Sequence, residues 1–189
     1  MTAAASRVPT FFFPYHDVSG VPVLFARLAR YLATVRGRRV RVIDYPDGYQ
    51  ARELACVAGV ELIPFADDVP VRVPADSVLV MQGILPSTIR RELKPPPETP
   101  VVFWTLHPMN WVQTLVPLPP AHDAQVRHPR ANRWILRLLL PRYAWRLRSL
   151  LERMHAESAL FFMDGATMAS TTERLGLRLE APRMLPVVL

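Results

Sequence analysis

The sequence predicts an α/β fold, a Rossmann-like parallel sheet with helices on both faces. Three observations carry this. Strand-length apolar runs alternate with helical patterns along the 189 residues, which implies right-handed crossovers between parallel strands. The strand runs are nearly continuous in apolar residues, as strands covered on both faces are. Polar residues and glycines gather just after the strands, where open α/β sheets bind ligands.

The first unit is the best specified. Thr10–Pro14 reads as a buried strand and Tyr15–Gly20 as a short polar loop. A helix follows to Arg36, with apolar residues at Val21, Leu24, Phe25, Leu28, Leu32 and Val35 and with Arg27, Arg30 and Thr34 on the other side. Ser19 is placed to cap it, Pro22 fits its first turn, and Gly37 suits the left-handed position that ends it. Arg39–Tyr45 is the second strand. Gly48–Ala58 then reads as a helix, Val60–Phe65 as a strand, Ser77–Met81 as a buried strand and Pro86–Leu93 as a short helix. Pro95–Pro97 breaks the chain before the strand Val101–Leu106. Further on, Ser158–Met163 is a strand, Ala166–Leu175 a helix closed by Gly176, and Met184–Leu189 a last strand.

Composition excludes several classes. One cysteine, Cys56, rules out an intramolecular disulfide framework and fits a reducing, cytoplasmic compartment. The loop after the first strand holds only Gly20, so the dinucleotide fingerprint G-x-G-x-x-G is missing, and no G-K-[ST] of a P-loop occurs. Pro100–Ala121 carries no charged residue and spans the roughly 20 residues a membrane helix needs. Its prolines at 108, 117, 119 and 120 argue instead for a strand running into an irregular loop. No leader with a secretory core is expected, because Pro9 interrupts the short apolar run from Val8 to Phe13.

The net charge of +7 is almost wholly arginine, with Lys94 the only lysine. Arginines cluster from Arg127 to Arg153, where Glu152 is the only acid, among Trp134, Ile135, Leu138, Tyr143 and Trp145. A basic amphipathic helical segment at about 127–157 is therefore expected within a single domain spanning 1–189. A solvated helix packed on the sheet explains that pattern; contact of Arg130, Arg133, Arg137 and Trp134 with an anionic membrane surface is the functional alternative. Base-stacking and zinc-finger motifs are absent, so no specific nucleic acid is expected.

Placed on this scheme, the candidate site residues share the carboxyl rim of the sheet. His16 and Asp17 follow the first strand and make an acid–base pair or a local turn. Ser19 and Gly20 offer backbone N–H groups to a phosphate or a sugar hydroxyl, or simply open the helix. Asp44 ends the second strand, Gln82 and Gly83 follow Ser77–Met81, His107 follows Val101–Leu106, and Asp164 follows Ser158–Met163. No metal-ligand spacing is present, and no metal is expected.

These residues resemble a known family. Phe11-Phe12-Phe13-Pro14, the loop to Ser19-Gly20, the helix and the strand Arg39–Tyr45 are similar to the opening of GT-B glycosyltransferases, above all glycosyltransferase family 4, with Ser19-Gly20 where that family commonly has a glycine pair. Val101 to His107 resembles the family's strand ending in histidine, and Ser158–Arg174 its strand and helix before the interdomain linker.

The resemblance implies the N-terminal, acceptor-side half of a hexosyltransferase that moves a sugar from a nucleotide-sugar donor to a saccharide or lipid-linked acceptor. By the same resemblance the C-terminal donor-binding domain is absent from the chain, and transfer needs that domain from a partner or a second copy. Gly20 and its neighbours would approach donor phosphates or acceptor, and His107 the transferred sugar; an inverting enzyme would use Asp17 or His16 as base. The nucleotide sugar is a co-substrate and no further cofactor is implied. The expected location is cytoplasmic, peripheral at the inner face of a membrane. A non-catalytic Rossmann-like binding or scaffold module is the alternative, and a nucleic-acid-binding protein a further one.

Overall fold

The computed structural model describes residues 7–67, 69–82, 93–106, 147–157 and 159–185. Its centre is a six-stranded sheet in the order β3-β2-β1-β5-β7-β8. The strands are β1 (Val8–Phe12), β2 (Val40–Asp44), β3 (Val60–Pro64), β5 (Ser77–Gln82), β7 (Val101–Thr105) and β8 (Leu160–Phe162). Two short strands, β4 (Val71–Arg72) and β6 (Leu93–Lys94), pair in parallel by themselves. The helices are α1 (Gly20–Thr34), α2 (Tyr49–Leu54), α3 (147–156) and α4 (Gly165–Leu175). The expected Rossmann-like α/β class is the observed one.

The chain divides into two compact units, Met1–Gln82 with Pro86–Phe103 and Gly83–Leu85 with Trp104–Leu189. In the first, β1 pairs in parallel with β2 and with β5, so that Thr10 faces Arg41 on one side and Leu79 on the other. Strand β2 pairs in parallel with β3, and all five of its residues are buried. Burial on both faces explains the apolar continuity of β1 and β2.

Helix α1 shows how helix meets sheet. Phe25 is wholly buried, with its ring 5.3 Å from that of Phe11. Full burial of such a ring contributes about 2–3 kcal/mol. The rest of the inward face is Pro22, Ala26, Ala29 and Ala33. This differs from the expected stripe, since Val35 is 67% exposed and Val21, Leu24, Leu28 and Leu32 are only half-buried. Alanines let the helix axis come close to the strands, and a Cβ built on Gly59 would lie 3.4 Å from the Ala33 Cβ. Hydrophobicity alone pointed to the leucines, whereas close packing selected the small residues.

The ends of α1 divide in the same way. Gly37 has φ +57°, as the left-handed stop requires. Ser19 occupies the N-cap position in an extended conformation, but its side chain makes no capping hydrogen bond. Its carbonyl accepts from the Val23 N–H at 3.2 Å.

An ion network stiffens the first unit. Arg41, on β2, is buried, and its guanidinium donates to Asp76 at 2.6 and 3.1 Å, to Glu61 at 2.9 Å and to Ser77 Oγ at 3.3 Å. Asp76 foremost, then Glu61, raises the Arg41 pKa against the opposing effect of burial. In return, hydrogen bonding to Arg41 lowers the Asp76 pKa, and Arg39 followed by Arg41 lowers that of Glu61.

In the second unit the spacing Leu147, Leu151, Met154 buries one face of α3. The Trp104 indole donates to the Leu185 carbonyl at 3.1 Å, and Met163 N–H donates to the Thr105 carbonyl at 3.0 Å. Phe162 bridges in parallel to Met184, where the last strand is expected. Gly176 ends α4 at φ +60°, and the Arg148 side chain donates to the Leu175 carbonyl at 3.2 Å. A cation at the carbonyl end of a helix complements its dipole.

Candidate functional site

The sheet order marks a candidate ligand position. The chain winds outward from β1 to β2 and β3, then returns to place β5 on the opposite side of β1. The reversal between β1 and β5 is a topological switch point, and ligands of open α/β sheets bind at the carboxyl ends of the strands there. Phe12 and Met81 are register partners, so the loop after β1 and Gln82 at the end of β5 leave the sheet side by side. His16, Asp17, Ser19, Gly20 and Gln82 are thus brought to one end of adjacent strands, as the sequence scheme has them.

Within the β1–α1 loop, His16 is the most constrained polar side chain. Its imidazole stacks on the Tyr45 ring with centroids 4.1 Å apart and planes 17° from parallel. Nδ1 lies 3.2 Å from Asp47 Oδ1, and the Tyr45 hydroxyl donates to Asp67 at 2.6 Å. Arg52 donates to the His16 carbonyl at 3.1 Å and also to the Asp47 carbonyl. Nε2, the other ring nitrogen, has no such contact among the described residues. The expected partner was the adjacent Asp17; the structure supplies Asp47, from the loop after β2. Sequence proximity could not identify a carboxylate brought in by the parallel pairing of β1 with β2.

Ser19 and Gly20 are uncommitted. The Ser19 hydroxyl does not cap α1, and a Cβ at Gly20 would meet nothing within 4 Å. Gly20 also lacks a positive φ, so neither backbone nor neighbours demand glycine there. Pro22 has no N–H, and the amides of Gly20 and Val21 have no hydrogen-bond acceptor among the described residues.

Asp44 has the opposite character. It is 2% exposed, and its carboxylate accepts from the backbone N–H groups of Tyr15 and Tyr45 at 2.9 Å and of Ala51 at 3.0 Å. Burial raises its pKa even against those N–H bonds. In a dinucleotide site an acid in this region holds the ribose hydroxyls. Here its oxygens are occupied by the protein's own backbone, and the residue is architectural. Tyr49 N–H to the Tyr15 carbonyl at 2.9 Å and Gln50 Nε2 to the Phe13 carbonyl at 2.8 Å tie the same loop to α2.

A small cavity of about 100 Å³ lies beside these residues, lined by Val42, Asp44, Tyr45, Ala51, Leu62 and Pro64. It is below the roughly 300 Å³ at which small-molecule pockets begin. Among the described residues no cluster of three His, Cys, Asp or Glu side chains could hold a metal ion, and no helix is long and apolar enough to cross a membrane.

Asp164 belongs to the second unit and is the N-cap of α4, where Oδ1 accepts from the Thr167 N–H at 2.7 Å. That bond satisfies a first-turn donor, a structural use of a residue expected at a ligand. Gly83, His107, Arg130, Arg133, Trp134 and Arg137 lie outside the described residues.

No family model and no curated protein matches the chain.

Proposed function

We propose that the chain is the acceptor-side half of a glycosyltransferase, moving a sugar from a nucleotide-sugar donor to a saccharide or lipid-linked acceptor. The observation that supports this reading is the pairing of His16 with Asp47 and Tyr45 on the same loop as the uncommitted Ser19 and Gly20, at the β1/β5 switch point. Transfer to a hydroxyl needs a base for its proton and hydrogen-bond donors for the departing diphosphate. His16 Nε2 supplies the first, with Asp47 beside Nδ1 and Tyr45 stacked on the ring. The Gly20 and Val21 amides and the Ser19 hydroxyl supply the second. The acceptor proton passes to His16 Nε2 as the oxygen attacks the anomeric carbon, and the sugar–phosphate bond breaks toward those donors. A second Rossmann-like half, on another chain or another copy, holds the nucleoside end of the donor in this reading, while this chain binds its diphosphate and sugar. The cytoplasm, where nucleotide sugars and a free Cys56 are compatible, is the compartment it implies.

Thermal shift with uridine and guanosine diphosphate sugars tests the reading. The melting temperature of the chain is expected to rise with at least one such sugar at millimolar concentration. The rise is expected to be lost in Gly20→Ala, whose added Cβ enters the ligand's space and not the protein's. No shift with any donor or acceptor sugar would overturn it.

A further inference from the structure

The outward side of α1 poses a separate question. From Val18 to Ile43 the sequence holds six arginines and no acidic residue. Arg41 is the buried member; Arg27, Arg30, Arg36, Arg38 and Arg39 are exposed. Arg30 pairs with Glu53 and Arg39 with Glu61, while Arg27 and Arg36 have no ion-pair partner among the described residues. Arg27, Tyr31 and Val35 follow one another at four-residue steps and so form one ridge of the helix. Tyr31 is 46% and Val35 67% exposed, and Leu24 and Leu28, half-buried, flank the ridge at the same spacing. Phe25 and the alanines make the contact with the sheet, and Tyr31 and Val35 are turned toward solvent.

A helix with an apolar outer ridge, a tyrosine and arginine as its only charge matches an anionic lipid interface. Tyrosine favours the headgroup level, and arginine both neutralises lipid phosphates and buries its stem. An acidic protein surface would answer the charge but not the ridge, and a second copy of this cationic chain would set arginine against arginine. We propose that α1 rests on the surface of anionic phospholipid, with Tyr31 and Val35 entering the headgroup layer and Arg27 and Arg36 on lipid phosphates. The inference rests on α1 alone and not on sugar transfer, so its failure would leave that reading standing.

The test is sedimentation with vesicles of phosphatidylglycerol and phosphatidylcholine, set against vesicles of phosphatidylcholine alone. The chain is expected to bind the anionic vesicles and not the neutral ones. Arg27→Glu with Arg36→Glu is expected to weaken binding at least tenfold, since each arginine near such a surface is worth about fivefold. A polarity-sensitive dye on Val35→Cys, in a Cys56→Ser background, is expected to shift to the blue when anionic vesicles are added. Binding undiminished by the double reversal, equal binding to neutral vesicles, or a dye that does not respond while the chain sediments would each overturn the proposal. Retained melting temperature in the variants, all altered at exposed positions, separates lost binding from lost fold.

Discussion

Asp44 and Gly48 are fitted to one another: the Asp44 carboxylate turns back over the start of α2 and occupies the space a side chain at 48 would need. The glycine is required by that approach, and its φ of −65° is open to any residue. Gly48→Ala is expected to destabilise the protein by about 1–3 kcal/mol, as an overpacked site does, in urea denaturation. Asp44→Ala leaves the Tyr15, Tyr45 and Ala51 amides without their acceptor, and about 3 kcal/mol or more is expected for such buried donors.

The two residues at the N-caps of α1 and α4 are expected to respond differently to the same change. Asp164→Ala removes a 2.7 Å capping bond and is expected to cost about 1 kcal/mol. Ser19→Ala removes no capping bond, and a cost under about 0.5 kcal/mol is expected at a site free of such a feature. Equal losses in thermal melts would show that the Ser19 hydroxyl has a structural use.

Gly176 is held by two constraints that a double-mutant cycle can separate. Its φ of +60° disfavours any side chain, and an added Cβ would lie 2.7 Å from Arg148 Nη2. Gly176→Ala is expected to cost about 1–2 kcal/mol for the conformation alone. The steric part should vanish in Arg148→Ala, giving a coupling of about 0.5 kcal/mol or more.

Acid should weaken the fold through the Arg41 network. Asp76 and Glu61 have lowered pKa values in the folded chain, so they take up protons more readily when it unfolds. Their contribution is complete above the ordinary carboxylate range near pH 4 and is lost as the pH falls below it. Asp44 runs the other way, since its raised folded pKa favours the native state at low pH and disfavours it as the pH rises through the folded value. Denaturation as a function of pH should therefore show a steeper acid limb in the parent than in Asp76→Asn with Glu61→Gln, and a shallower one than in Asp44→Asn.

Much of the fold was legible in the sequence because parallel strands and the α1 boundaries leave local marks. Gly37 and Gly176 have the positive φ expected at helix ends, and β2 and β3 begin and end within a residue of their expected limits. The second helix is shorter than expected, ending at Leu54, since the chain turns at Val57, whose N–H reaches the Leu54 carbonyl at 3.0 Å. The site was legible in part. His16, Ser19, Gly20 and Gln82 follow strands, and strand order then brings them to one end. What escaped the sequence is every relation made across strands: Asp47 as the partner of His16, Tyr45 as its stacking surface, and Asp44 as a backbone acceptor. The burial of Arg41 was equally hidden, because its two acids come from β3 and from the turn before β5.

The position of β1 between β2 and β5 also bears on how the chain folds. Its contact with β2 closes a short loop through α1, whereas its contact with β5 waits on a segment far along the chain. Loop closure favours the nearer pairing, and long-range parallel pairing is slow. The β1-α1-β2 unit is therefore the expected nucleus, and the docking of β5 the later, rate-limiting event. The candidate crevice at the β1/β5 boundary would then be the last part of the first unit to form and the first to open.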